Sequence, residues 1–195
     1  MQLFLLICAA YLIGAIPTGV LLTRLAGGED IRRAGSGNIG ATNVYRVAGR
    51  KLGILTLIGD CLKGVFPLVV AQQWFSISGA PLAAVALAAF LGHCYPVYLG
   101  FKGGKGVATA LGIFLVLSPL SVLCALAVFV LVLLTRRYIS LASISAAAVI
   151  PLFVAAFARS LPLFTATLLI AGIVIWRHRA NIERLRQGNE NKFNL

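Results

Sequence analysis

"GVATALGIFLVLSPLSVLCALAVFVLVLLT", residues 106–135, contains no charged side chain and decides how the whole chain is threaded. As one long helix it crosses a bilayer once. As a hairpin turning at Ser118-Pro119 it crosses twice, and every later segment changes side. Charge placement separates the two readings. With the hairpin, one face receives Arg24, Arg32, Arg33, Arg46, Arg50, Lys51, Lys102, Lys105, Arg136, Arg137, Arg177, Arg179, Arg184, Arg186 and Lys192. That is fifteen of the 17 basic residues, with Lys63 inside a span and Arg159 alone on the other face. With a single span the same charges divide nine against seven and give no orientation. The excess of Lys and Arg on cytoplasmic loops therefore selects the hairpin, an amino terminus outside and a carboxyl terminus in the cytoplasm.

Working outward, apolar stretches occupy residues 1–23, 52–72, 81–99, 107–117, 120–134, 141–158 and 161–175. A hydrocarbon core of about 30 Å takes about 20 helical residues to cross. The expected fold is an all-α polytopic transmembrane bundle of seven spans, in which the short 107–117 segment starts below the membrane surface inside the bundle. The first stretch lacks the basic region and small-residue cleavage site of a secretory signal and is expected to be a retained span. Sixty per cent hydrophobic residues and 11% charged ones suit a membrane protein. No internal repeat or linker appears, so a single domain over residues 1–195 is expected.

The net charge of +12 lies in short loops beside spans, where orientation and anionic headgroups account for it, and nucleic-acid binding is disfavoured. Cys8, Cys61, Cys94 and Cys124 fall in four different apolar stretches without metal-ligand or disulfide spacing. No His or carboxylate pair has metal-ligand spacing either, so neither metal nor cofactor is expected.

Four polar segments share the cytoplasmic face: residues 24–51, 100–106, 135–140 and the tail from Trp176. The first contains "GSGNIGATN", where Gly35, Gly37 and Gly40 allow close backbone approach and successive N–H groups can point at an anion. Ser36, Asn38, Thr42 and Asn43 add neutral donors, and Arg46 adds a planar fork suited to phosphate. The competing reading is a flexible linker. The second, "GFKGGKG", surrounds Lys102 and Lys105 with glycines. It departs from a nucleoside-triphosphate loop, because position 99 is Leu and Lys105 is followed by Gly106. What remains is a turn delivering Lys105, with Gly103 and Gly104, to a helix amino terminus that favours phosphate. Orientation charge alone suits Lys102 better than Lys105.

The tail "WRHRANIERLRQGNE" places Trp176 at the boundary, and His178, Asn181 and Arg184 or Leu185 at steps that can share a helical face. An amphipathic interfacial helix is the alternative for this segment. Asp60 and Lys63, three apart within a span, can neutralise each other; a structural ion pair and a catalytic role are equally open. His93 precedes the glycine-lysine loop and is expected to orient it.

"GSGNIGATN", "GHCYPVYLGFKGGKGVAT" and "HRANIERLRQGNE", in this order, resemble the motifs of the bacterial acyl-phosphate:glycerol-3-phosphate acyltransferases, and the resemblance runs along essentially the whole chain. It implies transfer of an acyl group from acyl phosphate to the 1-hydroxyl of glycerol 3-phosphate, giving lysophosphatidic acid and inorganic phosphate, the first acylation of phospholipid synthesis. It implies a multi-pass protein of the bacterial plasma or inner membrane, working among membrane lipids, with its active site facing the cytoplasm; a monomer is the separate expectation. By the same resemblance Ser36, His178 and Asn181 are catalytic candidates, and Lys105 joins them from the chemistry of its loop. Arg46, Gly37, Asn38, Thr42, Gly103, Gly104 and, after "RRYISLASI", Ser143 are phosphate-binding candidates. Two other classes remain open. An anion transporter would be expected to carry polar groups at mid-membrane and a pseudo-repeat. A metal-dependent lipid phosphotransferase needs a cluster of aspartates, and this chain has only Asp30 and Asp60.

Overall fold

The computed structural model describes residues 1–193, and among them the chain is helical with no strand. In chain order the helices are α1 (Gln2–Gly14), α2 (Thr18–Leu25), α3 (Ala41–Ala48), α4 (Arg50–Gln73), α5 (Gly79–Cys94), α6 (Val107–Leu117), α7 (Pro119–Arg136), α8 (Ile139–Phe157), α9 (Leu161–Arg177) and α10 (Arg179–Arg186). Short 3-10 turns, Ile31–Arg33 and Val97–Leu99, lie in the two polar loops. Four helices are long and apolar enough to cross a membrane, and the number reaches six if each of two bent pairs is one span; α6 is a shorter apolar helix.

The stretch at residues 106–135 is indeed two helices rather than one. Ser118, at φ −158° and ψ 73°, separates α6 from α7, and Pro119 opens the second helix. Proline has no N–H to give to a preceding turn and disfavours helical backbone at the residue before it, so the break falls at Ser118. The Ser118 and Ser121 hydroxyls, 2.7 Å apart, hydrogen-bond to each other at the junction. The first apolar stretch, residues 1–23, is likewise not one straight helix. It is α1 and α2, bent by 44°, with Pro17 at the break for the same reason.

The chain packs into two compact units, Met1–Val116 and Leu117–Leu195. In the first, helices meet through small residues. A side chain added at Gly14 of α1 would strike the Ala89 backbone of α5, and one at Gly92 would strike the Tyr11 carbonyl. Lipid is as apolar as leucine, so helices gain little from hiding hydrophobic surface from it; close backbone approach and interhelical hydrogen bonds hold them instead. The Tyr11 hydroxyl supplies one such bond, donating to the Tyr95 carbonyl at 2.7 Å. In the same unit Val20, Ile31, Ile39 and Val44 form a buried cluster, with Ala48, Leu52 and Leu99 packed around it. That cluster carries the first polar loop on one side and meets the second through Leu99.

In the second unit α8 packs against both α7 and α9, around buried Val154, Ile170, Ala171 and Val174. The outer leucines of α7, Leu120, Leu123, Leu131 and Leu134, are exposed. A helix bordered by hydrocarbon has no reason to hide them.

Candidate functional site

The first polar loop is built on Asn43. Its side chain is buried, 2% exposed, and sits in the first turn of α3. Its Oδ1 accepts from the Ser36 N–H at 2.8 Å. Its Nδ2 donates to the carbonyls of Asn38 at 2.9 Å, Ala34 at 3.1 Å and Ile31 at 3.2 Å. An amide has two N–H groups, so one of them is shared between acceptors. Asn43 is therefore not a donor to a ligand, as the sequence suggests, but the internal support of the loop. Gly35 makes this possible: its φ is +59°, and an added side chain would collide with Asn43 Oδ1 and Val47. Asn38 folds the next turn, its Oδ1 accepting from the Gly40 N–H at 2.9 Å.

Held from beneath, the loop presents Ser36 and Gly37 on the surface, and Arg46 is exposed on α3. Thr42 and Arg46 are four apart on that helix and share a face. Thr42 lies in the first turn, where backbone N–H groups have no intrahelical acceptors. Arg32 is occupied differently, donating to Asp30 from Nε at 2.9 Å. The hydrogen-bonded Arg32 guanidinium holds the Asp30 carboxyl well below the usual carboxylate range. Arg46, exposed on α3, can meet an anion from a rigid helix.

The second polar loop, also in the first unit, joins α5 to α6. It reverses at Gly100, in the left-handed region at φ +57°. The Gly104 N–H donates to the His93 carbonyl at 3.1 Å. The His93 ring lies where a Gly104 side chain would have to be, and Gly103 packs against the His93 and Cys94 carbonyls and Pro96. The N–H of Gly104 is thus engaged within the protein; its part is to let the loop close onto His93. Lys102 is exposed and Lys105 half-buried, the difference expected if only Lys105 is built into a site.

In the second unit the polar groups gather on Glu190, which sequence reading overlooked. It is 8% exposed. Its Oε1 accepts from the Asn181 amide at 2.7 Å and the Ser140 hydroxyl at 2.8 Å, and its Oε2 accepts from Arg184 Nε at 2.7 Å. Burial opposes its charge, but the bonds from Asn181, Ser140 and Arg184 outweigh burial and hold the carboxyl below its ordinary value. The signal was present in "QGNE". Gly188, at φ +71°, ends α10, with its N–H on the Leu185 carbonyl and the Asn189 N–H on the Arg184 carbonyl. This glycine-terminated helix end turns the chain back and lays Glu190 against the helix it has just left.

His178 lies at the 53° bend between α9 and α10 and is 2% exposed. Its Nδ1 is 2.8 Å from the Val174 carbonyl. A carbonyl can only accept, so Nδ1 carries the proton and Nε2 is the basic nitrogen of the neutral ring. Asn181 is buried and oriented by Glu190. Ser143, buried on α8, donates to the Ile139 carbonyl at 2.9 Å; Ser140, one turn earlier, is the serine that meets the Glu190 cluster. Arg179 stacks over Trp176, 5.0 Å from the ring centre. Among the described residues no three His, Cys, Asp or Glu gather as metal ligands.

A glycerol-3-phosphate acyltransferase family model matches residues 4–188. The chain belongs to that family. The glycerol-3-phosphate acyltransferase of Syntrophotalea carbinolica is 63% identical over 190 residues, 97% of this chain and 97% of the relative. That of Fusobacterium nucleatum is 47% identical over 193 residues, 99% of each. The crystal structure of PlsY (YgiH), an integral membrane glycerol 3-phosphate acyltransferase in its glycerol 3-phosphate form, matches with a TM-score of 0.94 at 42% identity, covering 100% of this chain and 96% of that one. Its lysophosphatidic acid form matches at 0.92. The chain is accordingly an all-α integral membrane acyltransferase of the PlsY type, and its two polar loops and its tail are the motifs by which the sequence resembles that family.

Proposed function

We propose that this acyltransferase esterifies the 1-hydroxyl of glycerol 3-phosphate with an acyl group taken from acyl phosphate, releasing lysophosphatidic acid and inorganic phosphate in the first step of phospholipid synthesis. The observation that carries the reading is the whole-chain likeness to PlsY in two forms, one with glycerol 3-phosphate and one with lysophosphatidic acid. Those two molecules differ by one acyl ester. The donor is supported by the anion-suited loops: a substrate pair with a phosphate on each member gives work to both Arg46 and Lys105.

In the reaction the acceptor hydroxyl oxygen bonds to the acyl carbonyl carbon, the carbon–oxygen bond to phosphate breaks, and the hydroxyl proton leaves. Phosphate is already a good leaving group, so alignment and charge stabilisation account for most of the work. Arg46, with the loop at Gly37, Asn38 and Thr42, clamps a phosphate. Lys105 and Gly103 stabilise charge as the other phosphate departs, and Gly104 allows that loop to close. Ser36 positions substrate and forms no acyl-enzyme. Asn181 and His178 orient the acceptor, with Ser143 beside α8 as a further polar contact. The protein works as a monomer of one functional domain in the bacterial plasma membrane, its site facing the cytoplasm.

The test is phosphate release from palmitoyl phosphate by purified protein in lipidic medium, with and without glycerol 3-phosphate, beside Lys105→Ala. Release that needs both substrates and is lost in the variant supports the reading. Product from acyl thioester but not from acyl phosphate overturns the donor. In the same assay His178→Ala separates two fates of the proton: a collapsed maximal rate assigns it to His178 Nε2, whereas a preserved rate with weakened affinity assigns it to the departing phosphate.

A further inference from the structure

Asp60, Lys63 and His93 are three titratable side chains in the interior of the first unit, 3%, 5% and 3% exposed. Asp60 Oδ1 lies 2.9 Å from Lys63 Nζ and 3.7 Å from His93 Nδ1. Lys63 also donates to the Ile16 carbonyl at 2.8 Å, at the bend between α1 and α2. A buried ion pair is weak evidence of stabilisation, because taking both charges out of water costs about as much as their attraction returns. The position of this one is informative. The glycine-lysine loop runs from the end of α5 to the start of α6, and both ends return to Asp60. At one end is the His93 side chain. At the other the Thr109 hydroxyl donates to the main-chain carbonyl of residue 60 at 2.9 Å, where α6 lies against α4 through Gly64 and Gly112. Within the loop, Gly103 and Gly104 are moulded onto His93.

We propose that the Asp60 carboxylate is a positioning group for the acyl transfer: through His93 at the start of the glycine-lysine loop it sets where Lys105 meets phosphate, while the Thr109 bond ties the far end of the loop to the α4 backbone at the same level. This rests on the reading of that loop as a phosphate site. Lys63 is the counter-charge beside Asp60 in the interior, and its bond to the Ile16 carbonyl ties the same cluster to the bend in the first span.

A purely structural pair can be exchanged for apolar residues of similar volume, whereas a positioning carboxylate cannot. The experiment is the double variant Asp60→Leu with Lys63→Met, measured for thermal unfolding and for kcat/KM with palmitoyl phosphate and glycerol 3-phosphate. We expect an unfolding temperature within a few degrees of the parent and a fall in kcat/KM of about tenfold or more, the scale of a misplaced catalytic group. A stable double variant with a smaller fall overturns the proposal. Should the double variant not purify, Asp60→Asn with Lys63→Met keeps the side-chain size at residue 60 and removes the carboxylate that faces His93. A raised KM for either substrate at unchanged stability supports the proposal, and unchanged kinetics overturn it. Lys105→Ala runs alongside, and full activity in that variant would sink the phosphate reading beneath the proposal, a failure distinguishable from that of Asp60.

Discussion

Two buried side chains organise polar segments in this molecule by opposite means. Asn43, in the first unit, is neutral and both gives and takes hydrogen bonds, so it can hold backbone N–H and carbonyl groups of one loop together. Glu190, in the second, only accepts, so it collects donors from separate elements: a hydroxyl of α8, and an amide and a guanidinium of α10. The amide shapes a loop whose outer surface stays open, while the carboxylate fixes side chains. A buried hub is thus matched to its clients, an amide where they are backbone of both polarities and an anion where all are donors.

The largest effect that would break this comparison comes from exchanging the chemistry of the first hub. Asn43→Asp keeps shape and the Ser36 contact but turns an oxygen toward the carbonyls of Ile31, Ala34 and Asn38. Unsatisfied buried groups cost about 1–3 kcal/mol each, so we expect loss of about 3 kcal/mol or more and of most folded yield, read by thermal unfolding and size-exclusion profile. The converse exchange, Glu190→Gln, puts a donor where only acceptance works. A hydrogen bond to a charged group is worth about 1.5–3 kcal/mol; we expect destabilisation of about 2 kcal/mol, with reduced kcat/KM as Asn181 loses its orientation.

Glu190 also carries a pH signature. Its carboxyl lies below its ordinary value in the folded protein. It therefore stabilises the fold fully above the unfolded glutamate value of about 4.3 and loses that contribution as pH falls through the lower folded value. The stability difference between parent and Glu190→Gln should shrink on acidification below about pH 4, and a difference constant with pH would remove the charge from the account. The smallest effect sharpens the first half of the comparison. Asn38 makes one turn bond, so Asn38→Ala should cost about 1 kcal/mol. Asn38→Asp retains the acceptor and should stay within about 0.5 kcal/mol of the parent.

Much of the fold was legible because it depends on neighbours along the chain. Apolar length marks the spans, and Pro119 breaks the long uncharged stretch at Ser118. The bend at Pro17 was equally local, yet the uncharged run from residue 1 to 23 concealed it, since hydropathy counts apolar side chains and is blind to a missing N–H. The site was legible as motifs but not as roles. Asn43 and Arg46 stand in one motif and look alike as polar donors; one is consumed by the loop that the other overlooks. Glu190 stood unremarked in "QGNE" because its three donors come from α8 and α10, up to 50 residues away.

By itself, then, the sequence determined an all-helical membrane chain with glycine-rich cationic loops and its membership of an acyltransferase family, since hydropathy, proline, glycine and motif spacing are properties of the chain read in order. Only the tertiary structure decided which polar groups face outward and which are spent inside. Asn43 and Glu190 acquire their roles from partners that folding brings within about 3 Å, and a hydrogen bond has no existence until both its ends are in place.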